Sequence, residues 1–430
     1  MNTRPGNTTA AFISVTTLFF AWGFITSHNN PLIASLKSTF NLSYNEALMT
    51  QLVSFAACGL TSLPAASLIN RIGATGTILA ALAMMITGCL LIPVVTQYQS
   101  YALILGALFL LGMGVTALQV ASNPLAAALG SPERSHFRLT IAQAFNSLGV
   151  VMGVNVGSTL MLGSDLLVPG YVDITNPAGN AMALGAVSHA FLFIAAMLAV
   201  LMVFIVLSRR RIELATAGIV SAPGTSAFEA LRSRWAVFGA VAIGLYVGAE
   251  VSIASVMINF LNEPHVLGLP LRTAGFYLAN IYWMGALIGR FIGSWLLTRV
   301  AAPRLLAIAG AAAALLCLTV ALSHGHVAAY AALAVGVFNS IMFPTIFTIT
   351  LERAGVAQSS TSGLLCFAIV GGAALPYAVG KLADGAGITI AFLMPMAAYA
   401  VIFVFARLAI GARVYHGTSA DGQAMKYGHV

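Results

Sequence analysis

Long apolar runs separated by short polar gaps organise nearly the whole chain. A helix crossing a bilayer needs about 20 mostly apolar residues. That ruler divides the sequence into twelve segments, at roughly 11–36, 46–70, 74–97, 101–129, 138–163, 182–208, 235–261, 273–297, 303–323, 327–351, 359–380 and 385–409. Run length excludes a membrane barrel, whose strands are alternating segments of about 10 residues. The first run begins near Ala10 without a small-residue cleavage pattern, so it reads as a retained helix and not a signal peptide. One gap is long: 209–234, opening with Arg209-Arg210-Arg211 and closing with Arg232-Ser233-Arg234. Six segments lie on each side of it. The expected organisation is an all-α membrane protein with an N-terminal six-helix bundle (1–208), a cytosolic linker (209–234), a C-terminal six-helix bundle (235–412) and a cytosolic tail (413–430).

Charge orients this array. With twelve spans, both termini share a side. Sixteen of the 19 Lys and Arg residues fall on that side, including Arg71, Arg134, Arg138, Arg290, Arg299 and the five arginines of the linker. Lys37, Arg272 and Lys381 fall on the other. The excess of Lys and Arg in cytoplasmic loops then places both termini and the linker in the cytoplasm. The halves also read as diverged copies. Spans two and eight each run into an arginine, Arg71 and Arg299; Gln119 precedes Pro124 by five residues in span four, as Asn339 precedes Pro344 in span ten. Two parallel repeats joined by a linker point to an alternating-access carrier with its site between the bundles near the midplane.

Composition removes the rivals. Of 430 residues, 60% are hydrophobic and 7% charged, and the mean hydropathy is +0.95; a soluble protein carries about 25% charge. The net charge of +8 is scattered between apolar runs and does not form the clustered basic face that nucleic acid requires. Cys58, Cys89, Cys317 and Cys366 lie far apart inside apolar runs, which speaks against disulfides and a metal site. No metal-binding, phosphate-loop or dinucleotide motif is present, so no cofactor and no enzyme activity are expected. An ATP-driven pump needs a nucleotide domain that no gap can hold; uphill transport must draw on an ion gradient.

The polar residues inside the apolar runs carry the functional information. Ten of the 11 acids fall in or next to predicted loops, and only Glu250 is deep within a span. A central acid costs about 2.5–3.5 kcal/mol on insertion scales and faces a cavity or a partner. Amides form a second set: Asn29 and Asn30 before Pro31, Gln119 and Asn123 on span four, Gln143 and Asn146 on span five, and Asn339 on span ten. Spacings of four and three put the members of each pair on one helical face. Tyr277, Asn280 and Trp283 line span eight at intervals of three, and Trp22 is a further aromatic on span one. Groups that both donate and accept, with flat aromatic faces among them, suit a neutral polyhydroxylated ligand. Helix-to-helix hydrogen bonding by the same amides is the structural alternative. Arg71, Arg290 and Arg299 read as gate or turn residues at cytoplasmic helix ends. His136 reads as a solvated or gating residue.

These residues carry a resemblance. Phe19-Phe20-Ala21-Trp22-Gly23-Phe24-Ile25, Leu118-Gln119-Val120-Ala121-Ser122-Asn123-Pro124, Ala142-Gln143-Ala144-Phe145-Asn146-Ser147-Leu148-Gly149, Tyr246-Val247-Gly248-Ala249-Glu250 and Phe338-Asn339-Ser340-Ile341-Met342-Phe343-Pro344 are similar to segments of the fucose–galactose–glucose:proton symporter family of the major facilitator superfamily, in its glucose/galactose transporter branch. The resemblance implies a major facilitator fold in a bacterial inner membrane, and a hexose or deoxyhexose taken up with a proton or Na⁺. It assigns sugar binding to span five (Gln143, Asn146) and a seventh-span acid to Glu250. Asn30 stands where the branch commonly keeps an aspartate, and an amide cannot exchange a proton near neutral pH. Symport coupled through Glu250, with sugar on the amides and aromatics, is therefore one expectation. Passive facilitation or exchange is the other, and a monomer is expected in either case.

Overall fold

The computed structural model describes residues 5–28, 32–33, 35–36, 39–40, 42, 44–162, 177–216, 226 and 228–415. The expected positions Asn29 and Asn30 lie outside the described residues, as does Lys37. The described residues are helical and contain no strand. In chain order the helices are α1 (Pro5–Ser27), α2 (Tyr44–Thr96), α3 (Tyr101–Ala128), α4 (Ser135–Leu162), α5 (Pro177–Thr216), α6 (Arg234–Asn262), α7 (Leu271–Tyr277), α8 (Met284–Leu296), α9 (Ala302–Leu322), α10 (Gly325–Asn339), α11 (Met342–Arg353), α12 (Gln358–Phe367), α13 (Gly371–Ala386), α14 (Ile388–Ala391) and α15 (Leu393–Ile410). Among the described residues, ten helices are long and apolar enough to cross a membrane.

Local sequence explains where these helices break. α2 is 53 residues long, which at about 1.5 Å per residue far exceeds a bilayer. Gly73, at φ 77° and ψ 169°, interrupts it with a backbone that favours glycine, and Arg71 stands exposed beside that break. α7 and α8 are joined through a π-helical stretch, Leu278–Trp283. The hydroxyl of Ser233 caps α6, accepting from the amide of Ala236 at 3.3 Å and donating to the carbonyl of Ala354 at 2.6 Å.

The helices group into two compact units. The first holds α1, α2, α3, the part of α4 from Phe145, and α5; the second holds the start of α4 as far as Ala144 and α6 to α15. Lipid tails are as apolar as leucine, so helices associate through close packing and shared hydrogen bonds and not through the exclusion of water. In the first unit α1 lies on α4 with the two backbones in contact. A side chain at Gly149 would collide with the Phe20 carbonyl, and one at Gly153 with the Phe24 carbonyl and the Ser27 hydroxyl. Gly23 of α1 leaves the matching space for Asn146. Thr96 and Ser188 hydroxyls, 2.9 Å apart, tie α2 to α5. In the second unit Gly239 of α6 makes room for Thr350 of α11, and Gly371 of α13 meets the Gly244 backbone.

The glycine contacts predict a sharp contrast. Gly149→Ala should destabilise the protein by about 1–3 kcal/mol through overpacking against Phe20, while Gly106→Ala, with open space around it, should have no such effect. Thermal unfolding of the two purified variants in one detergent checks this, and equal midpoints sink the packing argument.

Candidate functional site

Each unit carries buried polar side chains. In the first, Asn123 is fully buried on α3 and Gln119, one turn earlier, is half-buried. Asn146, 8% exposed, donates from Nδ2 to the Phe19 carbonyl at 3.0 Å, so its amide straps α4 to α1 at the height of Gly23. Trp22 is buried with its ring 5.0 Å from that of Phe19. The side chain of His28, directly after α1, is also buried, its Nδ1 lying 2.7 Å from the Phe24 carbonyl.

The second unit gathers its polar groups around one acid. Glu250, partly buried on α6, lies one turn after the fully buried Tyr246 and within the field of the Arg290 guanidinium. Arg290, on α8, donates from Nε to the Ser340 carbonyl at 3.1 Å and from an Nη to the Gln143 carbonyl at 3.3 Å. It thus holds both the break between α10 and α11 and the first part of α4. Gln143 itself is buried. Asn339, fully buried at the end of α10, donates from Nδ2 to the Tyr282 hydroxyl at 3.0 Å, and Tyr282 is likewise sealed from solvent. Tyr399 of α15, also fully buried, lies in the same region. A carboxyl, a guanidinium, three phenols and an amide therefore occupy one region of this unit.

Span eight departs from its expected face. Tyr277, Asn280 and Trp283 share a face at intervals of three only if the helix keeps 3.6 residues per turn. The π stretch Leu278–Trp283 widens the turn and rotates the residues beyond it. Tyr282 consequently enters the core, while Asn280 is exposed and bonds back to the Phe276 carbonyl at 3.0 Å. Trp283 is 40% exposed with its ring edge-on to Tyr282, and Tyr277 is half-buried. Tyr282, Tyr246 and Tyr399 are the polar residues that sequence reasoning missed. The Tyr246 spacing of four from Glu250 was the available signal; the other two are placed by tertiary packing.

A second cluster joins α4 to α11. Glu352 accepts from the Ser135 hydroxyl at 2.7 Å, lies 3.2 Å from His136 Nε2 and pairs through its other oxygen with Arg353 at 3.2 Å. His136 Nδ1 meets the Thr348 hydroxyl. Arg353, 6% exposed, also donates to the Ala409 carbonyl at 3.2 Å. His136, read from the sequence as a solvated or gating residue, is thus partly buried and fully engaged. Arg299 is exposed, its guanidinium 5.2 Å from the centre of the Trp295 ring. Among the described residues no cluster of His, Cys, Asp and Glu has the arrangement of a metal site.

Comparison with known proteins fits this architecture. The family model of the Major Facilitator Superfamily matches residues 11–373. The glucose/galactose transporter of Brucella abortus is 42% identical over 393 residues, covering 91% of this chain and 92% of that protein. The L-fucose-proton symporter of Escherichia coli is 30% identical over 415 residues, 92% of each chain. The crystal structure of the fucose transporter FucP in its outward conformation superposes with a TM-score of 0.81 at 26% identity, covering 94% of this chain and 99% of that one. The chain belongs to the Major Facilitator Superfamily, in the group that holds the glucose/galactose transporters and the L-fucose-proton symporters.

Proposed function

We propose that this protein is a multi-pass carrier of the bacterial inner membrane that takes up a neutral hexose or deoxyhexose by alternating access, coupled to a proton. It works as a monomer with twelve spans, both termini cytoplasmic, and bundles at 1–208 and 235–412 separated by the linker 209–234. The observation that carries the reading is Glu250, a carboxyl inside a membrane-spanning helix, one turn from the buried Tyr246 and in the field of the Arg290 guanidinium. Its relatives named for glucose, galactose and fucose supply the substrate class.

Sugar and cation are coupled only if each changes the other's binding or the states able to reorient. A midplane carboxylate does this because its charge opposes closure of a dry site, and neutralisation removes that penalty. Glu250 is the coupling group. Gln119, Asn123, Gln143, Asn146 and Asn339 supply the hydrogen bonds that sugar hydroxyls require, with Trp22 as an aromatic wall. Asn29, Asn30, Tyr277, Asn280 and Trp283 complete the set read from the sequence, and Na⁺ is the other cation such a carboxylate accepts. Arg290 braces the region through its two carbonyl contacts. Arg71 and Arg299 act as gate or turn residues at cytoplasmic helix ends.

Asn30 favours a second reading, passive facilitation, because it removes an acid from span one. Purified protein in liposomes decides between them. Imposing a pH gradient, acid outside, should drive tritiated glucose or galactose above its equilibrium level; accumulation under neither a pH nor a Na⁺ gradient leaves only the facilitator. Glu250→Gln keeps the shape of the side chain and removes its titration. It should reduce gradient-driven accumulation to the equilibrium level, tenfold or more below wild type if the coupling free energy is about 1.4 kcal/mol or larger. Wild-type accumulation by this variant refutes the coupling role.

A further inference from the structure

The first half of the chain has few groups able to handle a proton at membrane depth. Within its predicted spans the only carboxyl or imidazole side chains are Glu46, at the very start of span two, His28 and His189. His189 is on the exposed face of α5. His28 is different: it is 1% exposed, and its two ring nitrogens have distinct environments. Nδ1 lies 2.7 Å from the Phe24 carbonyl, which can only accept, so Nδ1 carries the hydrogen. Nε2 is then a bare lone pair, buried with no hydrogen-bond partner among the described residues. The Phe24 ring, 4.8 Å away, covers one side. Among the unpaired buried atoms of the described residues, Nε2 belongs to a ring whose tautomer is fixed and whose free lone pair is basic enough to take up a proton near neutral pH.

We propose that His28 is a second proton-binding group of the transport cycle, taking its proton at Nε2. This rests on the reading of the chain as a proton-coupled sugar carrier and adds a site that the span-one amides Asn29 and Asn30 cannot provide. A proton from water adds to the Nε2 lone pair, giving an imidazolium that now donates at both nitrogens; it is returned to water on the other side, and no other bond forms or breaks. The protonated ring needs an acceptor for its new N–H, which a sugar hydroxyl oxygen supplies. Proton and sugar then favour each other's binding.

Among the described side chains of the helices packed against α1, no fixed charge competes for this role. α3 carries no acid, Lys, Arg or His. On α4 the candidates are His136 and Arg138, but Gly153 is the residue level with Ser27, and Arg138 is about 22 Å back along that helix. On α5, Ser208 meets Ser14, which puts Arg209, Arg210, Arg211 and Glu213 at the opposite end of α1 from His28. His189, the remaining candidate on α5, is exposed.

Counterflow of tritiated galactose or glucose in liposomes tests the proposal, because it reads sugar affinity without net proton movement. In wild type, KM should rise about fivefold or more between about pH 5.5 and about pH 8, the window in which imidazole titrates. In His28→Gln, KM should not change across that window. A wild-type slope retained in His28→Gln overturns the proposal, and a retained slope with KM higher by the same factor at every pH marks a sugar ligand that carries no proton. Titration calorimetry of the sugar into wild type, in two buffers of different ionisation enthalpy at about pH 7, needs no variant: proton uptake on binding supports the site, and its absence overturns it. Lack of counterflow of either sugar by wild type sinks the carrier reading itself, whereas a pH-independent KM with intact counterflow sinks only His28.

Discussion

A carboxyl group on a membrane-spanning helix must be answered by the protein, because hydrocarbon offers it neither water nor counterion. At Glu250 the answer comes from the field of Arg290. That arrangement constrains much else in the unit. Arg290 is seated by the Ser340 and Gln143 carbonyls, so the break after α10 and the start of α4 are held by the same guanidinium that faces the acid. Asn339, adjacent to Ser340, bonds the Tyr282 hydroxyl. The break thus places two neighbouring residues on two partners, one polar and neutral, one charged.

Close backbone contact is the second constraint, and it also serves the polar groups. Gly23 is absent a side chain where Asn146 crosses to the Phe19 carbonyl, so a small residue on one helix creates the path for an amide on another. The same amide that reads as a ligand group in the sequence is a strap in the fold. Both roles fit one residue: Nδ2 is committed to Phe19, and an amide oxygen remains a strong acceptor.

Much of this was legible in the sequence, for definable reasons. Apolar run length locates membrane helices because the bilayer sets a fixed ruler, and a lone deep acid such as Glu250 stands out because insertion of a charge is costly. Asn339 was legible as a polar residue but not as a partner of Tyr282, since that contact joins residues 57 positions apart. Tyr277, Asn280 and Trp283 were grouped by a period that the backbone does not keep over Leu278–Trp283. The cluster at Glu352 was illegible because Ser135 and His136 reach it across more than 200 residues. Arg71 and Arg299, conspicuous as charges, lie exposed, where solvent or headgroups answer them at little cost.

The wide turn over Leu278–Trp283 also governs what changes of length this helix tolerates. A π turn contains one residue more than the α spiral around it requires. Deleting one residue there lets the ordinary spiral close, with no exposed gap in its ladder. The half beyond it keeps its azimuth, because the residue removed is the one the wide turn had absorbed, and Arg290 stays on the Ser340 carbonyl with Gly289 against Val337. Chain length can therefore change by one residue at this point without moving the cation near Glu250, whereas the same deletion in the regular helix beyond it turns everything that follows by about 100°.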